Sequence, residues 1–354
     1  MSAEKLIPRI LGLVAGVLLL VYLLWYPTAH DRPGTALLAQ ALYFGIAAMG
    51  LNLLTGYNGQ VSIGHGAFFG VGAFTSAILV NDHEWPFLAT LPVSAALSFV
   101  IGLLVGFPAL RVKGLYLALV TLGLAVLFPD IVKKYVDTGG QNLISVRRRN
   151  LSAPTWWPER FSEQQEYMFY TVLFVFLLLL GLSYLIVRSR FGRSLIAVRD
   201  HEAAAATVGI NPARAKLGAF SISALYAGVA GSLSVLVYNL ADATKAETFK
   251  ISILFLVAVV VGGTATVIGP MIGGFLIVYV DHSIVKFAGD PWTLESLLRD
   301  KEILAPAVFG ITLILMMYVL PDGIAGGAKR LYRLVWRVSA SRASSAAPST
   351  PVAN

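Results

Sequence analysis

Three observations predict an all-α fold, a polytopic helical membrane protein with about 8–10 transmembrane segments, broken helices and an internal repeat. Hydrophobic residues make up 57% of the 354, charged residues only 13%, and the mean hydropathy is +0.74. Soluble domains carry about 25% charged residues, so this composition belongs in a bilayer. Apolar stretches of membrane length recur along the chain. One of them, Leu51–Val80, is interrupted by Gly56, Tyr57, Asn58, Gly59 and Gln60. Hydrocarbon offers backbone no hydrogen bonds, so such a break is tolerated only inside protein or beside a cavity, and discontinuous helices often line the solute passage of transporters.

Taken in order, ten candidate segments lie at 10–26, 35–54, 61–80, 88–108, 114–129, 167–187, 217–238, 251–262, 266–280 and 303–320. The first follows Lys5 and Arg9 and imitates a secretory signal. It is long for such a signal and further spans follow, so it reads as an uncleaved anchor. The fifth, eighth and ninth are short, and read either as full crossings or as re-entrant halves. Three regions result: an anchor with a short outer loop at 1–34, a membrane domain at 35–326, and a basic tail at 327–354. Within the membrane domain, 130–166 reads as a long outer loop and 188–216 as a cytoplasmic one. Ser339–Asn354, small, polar and Pro-containing, has the composition of a disordered end.

The charge of +8 is explained by loops that flank apolar spans rather than by nucleic acid. With both termini in the cytoplasm, 15 of the 27 Lys and Arg fall inside, among them Arg111, Lys113, Arg188, Arg190, Arg193 and Arg214. Half of the remaining 12 lie in the one long loop, where the positive-inside rule is weak. The outer face is left acidic, with 15 of the 19 Asp and Glu.

An internal echo adds to the first break. Ser62–Phe69 (SIGHGAFF) resembles Val267–Gly274 (VIGPMIGG), and each follows a Gly-rich interruption, the second spanning Gly262 to Thr266. Paired interruptions in two halves point to a transporter's central site; chance placement of packing glycines is the plain alternative. The candidate solute pathway is therefore Gly56, Tyr57, Asn58, Gly59, Gln60, Ser62, His65, Gly262, Gly263 and Thr264. His65 either meets the solute or is satisfied by a neighbouring carbonyl. Asn58, Gln60 and Ser62 either bind a polar solute or cap and cross-link the broken ends.

Other chemistry is excluded residue by residue. Without cysteine there is no disulfide framework, thiolate metal site or cysteine nucleophile. No HExxH-like spacing or Ser-His-Asp arrangement presents itself, so neither a catalytic metal nor any cofactor is expected, and a membrane enzyme is the weakest class. GxxxxGK[ST] is missing, so the chain should not bind ATP itself. Asp281 and His282 sit at a segment end, and the other acidic residues fall in loops. A proton symporter would need intramembrane relays; sodium coupling through unwound carbonyls stays open.

Arg188–Lys216 is the remaining anomaly. Glu202 and the following alanines favour a helix that Asp200, or the Arg199–His201 stretch around it, opens, that Gly209 closes and that Pro212 prevents from continuing. Such a helix either lies on the lipid surface or docks a cytoplasmic partner.

Together these stretches resemble the branched-chain amino acid permease family of bacterial ABC importers, specifically the larger of its two permease types. The likeness rests on Gly50–Phe74 (GLNLLTGYNGQVSIGHGAFFGVGAF), Gly114–Ala125 with Thr138–Gly140, Phe191–Leu233, Val259–Leu276 and Pro321–Gly326. It covers about 40–326. The resemblance implies a multi-pass subunit of the bacterial plasma (inner) membrane that is not itself an enzyme. Its partners would be a second permease subunit, two cytoplasmic ATPase subunits, and a periplasmic or lipid-anchored solute-binding protein. By the same likeness Arg199–Gly209 is the ATPase-coupling helix, carried by Arg199, Asp200, Glu202, Ala203, Ala204 and Gly209. Four alanines, Thr207 and Val208 separate Glu202 from Gly209, one residue more than the common spacing. The outer loop, with Trp156 and Trp157, either meets the binding protein or anchors at the interface. Branched-chain amino acids are the implied solute. Urea, amide and aromatic-acid permeases of the same family, and a sodium-coupled or facilitative carrier, are the alternatives.

Overall fold

Two helices form the centre, and the sequence makes them apolar around their whole circumference. The computed structural model describes residues 20–110, 114–136, 142–154, 163–288 and 323–327, with residues 16, 18, 157, 158, 161, 310, 311, 314 and 318. Helix α1 (20–29) is followed by α2 (Arg32–Asn52), a π turn (Leu53–Tyr57), α3 (His65–Asp82), α4 (Phe87–Ala109) and α5 (Leu115–Tyr135). After β1 (Leu143–Ser145) come α6 (Gln164–Arg188), α7 (Arg190–Asp200), α8 (Glu202–Thr207) and α9 (Pro212–Tyr238). Strand β2 (Leu240–Asp242), α10 (Lys245–Gly262) and α11 (Gly269–Ala288) complete the described chain. The two short strands pair antiparallel, Leu143 opposite Asp242 and Ser145 opposite Leu240.

The apolar windows of α2 and α9 are each 89% buried, whereas those of α4, α5 and α6 are 22%, 39% and 33% buried. The outer three turn Leu104, Phe107, Tyr116, Phe174 and Leu185 outward. Apolar side chains on the outside and small or polar ones within are what a helix facing lipid requires. Among the described residues, five helices are long and apolar enough to cross a membrane. The protein is an all-α, multi-pass membrane protein.

Small residues let the centre close. A Cβ on Gly72 of α3 would run into the Gly228 carbonyl of α9, and one on Gly231 of α9 into the Phe69 carbonyl of α3. Hydroxyls then bridge the helices that approach. Thr90 donates to Ser76 and Ser76 to Ser232, both at 2.8 Å, and Ser232 lies 2.5 Å from Ser94. Interhelical hydroxyl bonds of this kind add roughly 0.6 kcal/mol each in a bilayer. Tyr226, fully buried, donates to the Leu179 carbonyl and accepts from Ser183, tying α9 to α6.

Local signals set the helix ends. Asp31 caps α2 through the Gly34 N–H, with Pro33 in the first turn. Asn211 caps α9 before Pro212, and Asn239 ends it in the left-handed region at φ 58°. Thr244 and Glu247 stand in capping-box spacing at the start of α10, Thr244 Oγ1 accepting from the Glu247 N–H.

Several expectations are corrected. The helices over the segments read as short are longer than those segments: α5 has 21 residues, α10 has 18 and α11 has 20, and α5 is among the helices long and apolar enough to cross a membrane. Apolar windows stop at the first charges, but helical backbone runs on through Lys133 and Lys134, begins already at Lys245, and continues past Asp281 and His282. Those two residues are thus inside a helix, not at a segment end. The loop expected at 130–166 consequently starts at Val136. Trp157 is not a free contact there: its ring NH donates to the Phe161 carbonyl and its face meets Tyr167 edge-on. Trp156, Arg111, Lys113, most of 303–320 and the tail beyond 327 lie outside the described residues.

Gly231→Leu should break the α3–α9 contact and lower thermal stability in detergent by the equivalent of about 1–3 kcal/mol, the range for overpacking. Gly181→Ala, on a position with nothing within 4 Å, should leave it unchanged. A fluorescence-detected melting series compares the two.

Candidate functional site

The chain between α2 and α3 loses its helical bonds at membrane depth, and other helices supply the replacements. The α-helix widens into the π turn Leu53–Tyr57, after which Gly59 takes φ +73°. Helix α3 then starts on Gly64 with no side-chain cap from its own neighbourhood. The orphan N–H groups are met from outside: Thr121 of α5 accepts from Ile63, and Ser252 of α10 accepts from Gly66, at 3.0 and 2.9 Å. Residues 64 and 66 must be glycine, since a Cβ on either would enter the Thr121 or Thr248 carbonyl.

The second break lies between α10 and α11, and the two breaks close on one another. Asn52, the last residue of α2, donates to the Thr266 carbonyl at 2.7 Å and accepts from the Ala265 N–H at 2.9 Å. Ala265 sits at φ +55° and Gly263 at φ +113°. A non-glycine residue there costs about 1–3 kcal/mol, which the buried bidentate amide offsets. A Cβ on Gly323 would stand 2.5 Å from Gly263 Cα, so the turn after residue 322 seals the same cluster.

A charged side chain joins this cluster to the loop after α6. Arg199 at the end of α7 donates through Nη1 to the Gly56 carbonyl at 2.9 Å, while its Nε and Nη2 hold Asp200 at 2.9 and 2.8 Å. Its stem lies where a Cβ on Gly59 would stand, 2.8 Å from Arg199 Cγ. The chain then kinks at His201, extended at φ −157°, and α8 begins. The expected single helix Arg199–Gly209 is therefore two: Arg199 and Asp200 end α7, and within the Arg199–His201 stretch it is His201 that caps α8, accepting from the Ala204 N–H. Gly209, at φ +86°, closes α8 with Gly209 N–H to Ala206 O and Ile210 N–H to Ala205 O, both 3.1 Å, a Schellman pair. Glu202 is tied to Lys216 of α9 at 2.6 Å. Ala203, Ala204, Ala206 and Val208 are left exposed.

The proposed pathway residues separate into two kinds. Tyr57, Asn58, Gln60, Ser62 and His65 are buried, and Thr264 is exposed. Asn58 donates to Gln60 Oε1 at 2.8 Å, Ser62 Oγ faces the Gly64 N–H at 3.4 Å, and Thr55 donates to the Gln60 carbonyl. These side chains tie the break locally. His65 meets the Ser223 hydroxyl at 3.3 Å rather than a carbonyl, and its Nδ1 has no partner among the described residues. Gly262 and Gly269 abut backbone to backbone. Asn52, Thr121, Ser252 and Ser223 were not singled out from sequence; their signal is a polar side chain within an otherwise apolar run.

Beyond the breaks, towards the opposite helix ends, Tyr43, Phe44, Phe69 and Phe255 form a layer with ring centroids 5.0–6.0 Å apart. Above it opens a cavity of about 240 Å³ between α2, α3, α9, α10 and α11. One end of the bundle thus carries the breaks and α8, the other carries the cavity, and an aromatic layer separates them.

The sequence profile of the branched-chain amino acid transport system permease component matches residues 35–319. The chain belongs to that family. This permease is 28% identical over 329 residues to the high-affinity branched-chain amino acid transport system permease protein LivM of Salmonella typhimurium, covering 86% of this chain and 73% of that one. LivM of Escherichia coli K12 gives 28% over 331 residues, 87% and 73%. The permease protein LivH of the same organism is 24% identical over 296 residues, 80% of this chain and 91% of that one. No solved structure matches the permease.

Asn52→Ala strands a buried N–H and a buried carbonyl, so the permease should lose about 1–3 kcal/mol. Deuterium exchange should accelerate at 263–268 while α9 stays protected. Exchange unchanged at the second break would remove Asn52 as its clamp.

Proposed function

We propose that this permease is one half of the membrane channel of an ATP-driven importer of the bacterial inner membrane, carrying branched-chain amino acids inward. The observation that carries the reading is the family match across nearly the whole membrane part, with relatives named for that transport. A second permease chain, two ATPase subunits beneath and a solute-binding protein above complete the assembly. Both termini and the α7–α8 loop face the cytoplasm in this reading.

Coupling runs through α8 and Arg199. The exposed alanine face of α8 docks in the ATPase, in contact range of a moving subunit. Arg199, one residue before the His201 kink, passes displacement to the Gly56 carbonyl and so to both breaks. ATP binding shifts the permease only as far as the ATPases bind its two states with different free energy. The buried polar residues of the first break act as the cytoplasmic gate, and solute passes when Asn58 and Gln60 part.

Uptake of labelled leucine by cells lacking the neighbouring transport genes tests the assignment, with permease, partner permease, ATPases and binding protein restored and each omitted in turn. Uptake lost without the ATPases supports it. Uptake by this chain alone favours a carrier, and uptake of urea or aromatic acids but not leucine moves the solute within the family.

Gly209→Val forces a β-branched residue to φ +86°, into open space, so the damage is to the backbone of α8 and not to packing. Transport should fall at least about tenfold, a 1.4 kcal/mol change, with solute no longer stimulating ATP hydrolysis. Arg199→Gln should preserve ATP hydrolysis while slowing uptake. Wild-type uptake and stimulation in both would sink the coupling assignment.

A further inference from the structure

The cavity above the aromatic layer has no role in the gate or the coupling loop. It is far larger than a single water needs. Its walls are of two kinds. Phe44, Phe69, Leu254 and Ile277 form an apolar side against the aromatic layer. Glu247, Asp281, Asp242 and Lys250 line the mouth, with Tyr238, whose hydroxyl donates to Gln40 at 2.6 Å. Charges gathered beside aromatic rings and partly screened from water are favoured when they are matched by opposite charge.

Among the described residues the match is incomplete. Asp242 accepts the Thr244 N–H at 2.7 Å, which fixes its orientation in the turn and leaves its charge in place. Glu247 and Lys250, one helical turn apart, stand 3.9 Å apart, at the limit of an ion pair, with side chains 37% and 54% exposed. Asp281 adds a further negative charge from α11. Among the described residues no three His, Cys, Asp or Glu converge to hold a metal ion, so the carboxylates are spread around a wider space.

We propose that this cavity is a solute-docking site for a zwitterionic α-amino acid with an apolar side chain, held at Glu247 and Asp281 by its ammonium group and at Lys250 by its carboxylate. The side chain packs on Phe44, Phe69 and Leu254. The loose Glu247–Lys250 pair opens to take the two ends of the ligand, so its charges are exchanged rather than stripped. Either half of the solute alone leaves one cavity charge unanswered, which makes the site select zwitterions over amines and acids. The proposal rests on the reading of the chain as an amino-acid permease and gives it a solute site of its own, apart from any separate binding protein.

The full chain in lipid nanodiscs is titrated with labelled leucine, its decarboxylated analogue isoamylamine and its deaminated analogue 4-methylpentanoate. Leucine should bind at least about tenfold more tightly than either analogue. Glu247→Gln should weaken leucine and isoamylamine about tenfold and spare 4-methylpentanoate; Lys250→Gln should weaken leucine and 4-methylpentanoate and spare the amine. Both side chains are partly exposed, so neither change should unfold the chain. Equal binding of all three ligands, no leucine binding at millimolar concentration, or leucine affinity unaltered in both variants overturns the site. ATPase-dependent leucine uptake by the assembled transporter alongside any of those results would leave the import assignment standing and remove only the cavity.

Discussion

Backbone amides that cannot be satisfied by water decide how this protein is built. Two helices are interrupted at membrane depth, and each freed N–H or C=O has to find a partner within protein. Thr121 and Ser252 meet the amides at the start of α3, Asn52 bridges to the second break, and Arg199 reaches the Gly56 carbonyl. These partners come from α5, α10, α2 and α7. The breaks therefore cannot exist without the surrounding bundle, and the bundle is cross-linked through them.

The same economy explains the small residues. Partners must come within hydrogen-bond reach, so α3 and α9 approach until a Cβ at Gly72 or Gly231 would strike carbonyl oxygen. The centre becomes rigid because it is packed backbone against backbone, with hydroxyl chains from α4 added across it. This packed centre has an edge where it meets the α7–α8 segment. Arg199 stands at such an edge, held by Asp200 on one side and committed to the broken helix on the other. Its place at the kink between α7 and α8 joins the exposed alanine face to the buried glycines in a single side chain.

Polarity is distributed along the bundle axis rather than only between inside and outside. The breaks and α8 occupy one end, the charged mouth of the cavity the other, and aromatic rings fill the level between. An apolar layer thus sets the polar breaks at one end apart from the charged cavity mouth at the other.

The sequence by itself determined the class, most of the spans and the place of both interruptions, because apolar length and Gly-rich breaks are local properties. It also determined the left-handed stop at Gly209, which depends on neighbouring residues alone. It misjudged where α5 and α11 end and where α10 begins, since hydropathy windows follow charge while helical backbone bonds continue past it. Only the tertiary structure decided that the two breaks touch and that Arg199 turns inwards to Gly56. Those contacts join residues as far as 214 positions apart. Such a pairing is set by which backbone groups lack a partner once the helices have packed, and no local pattern in the chain encodes it.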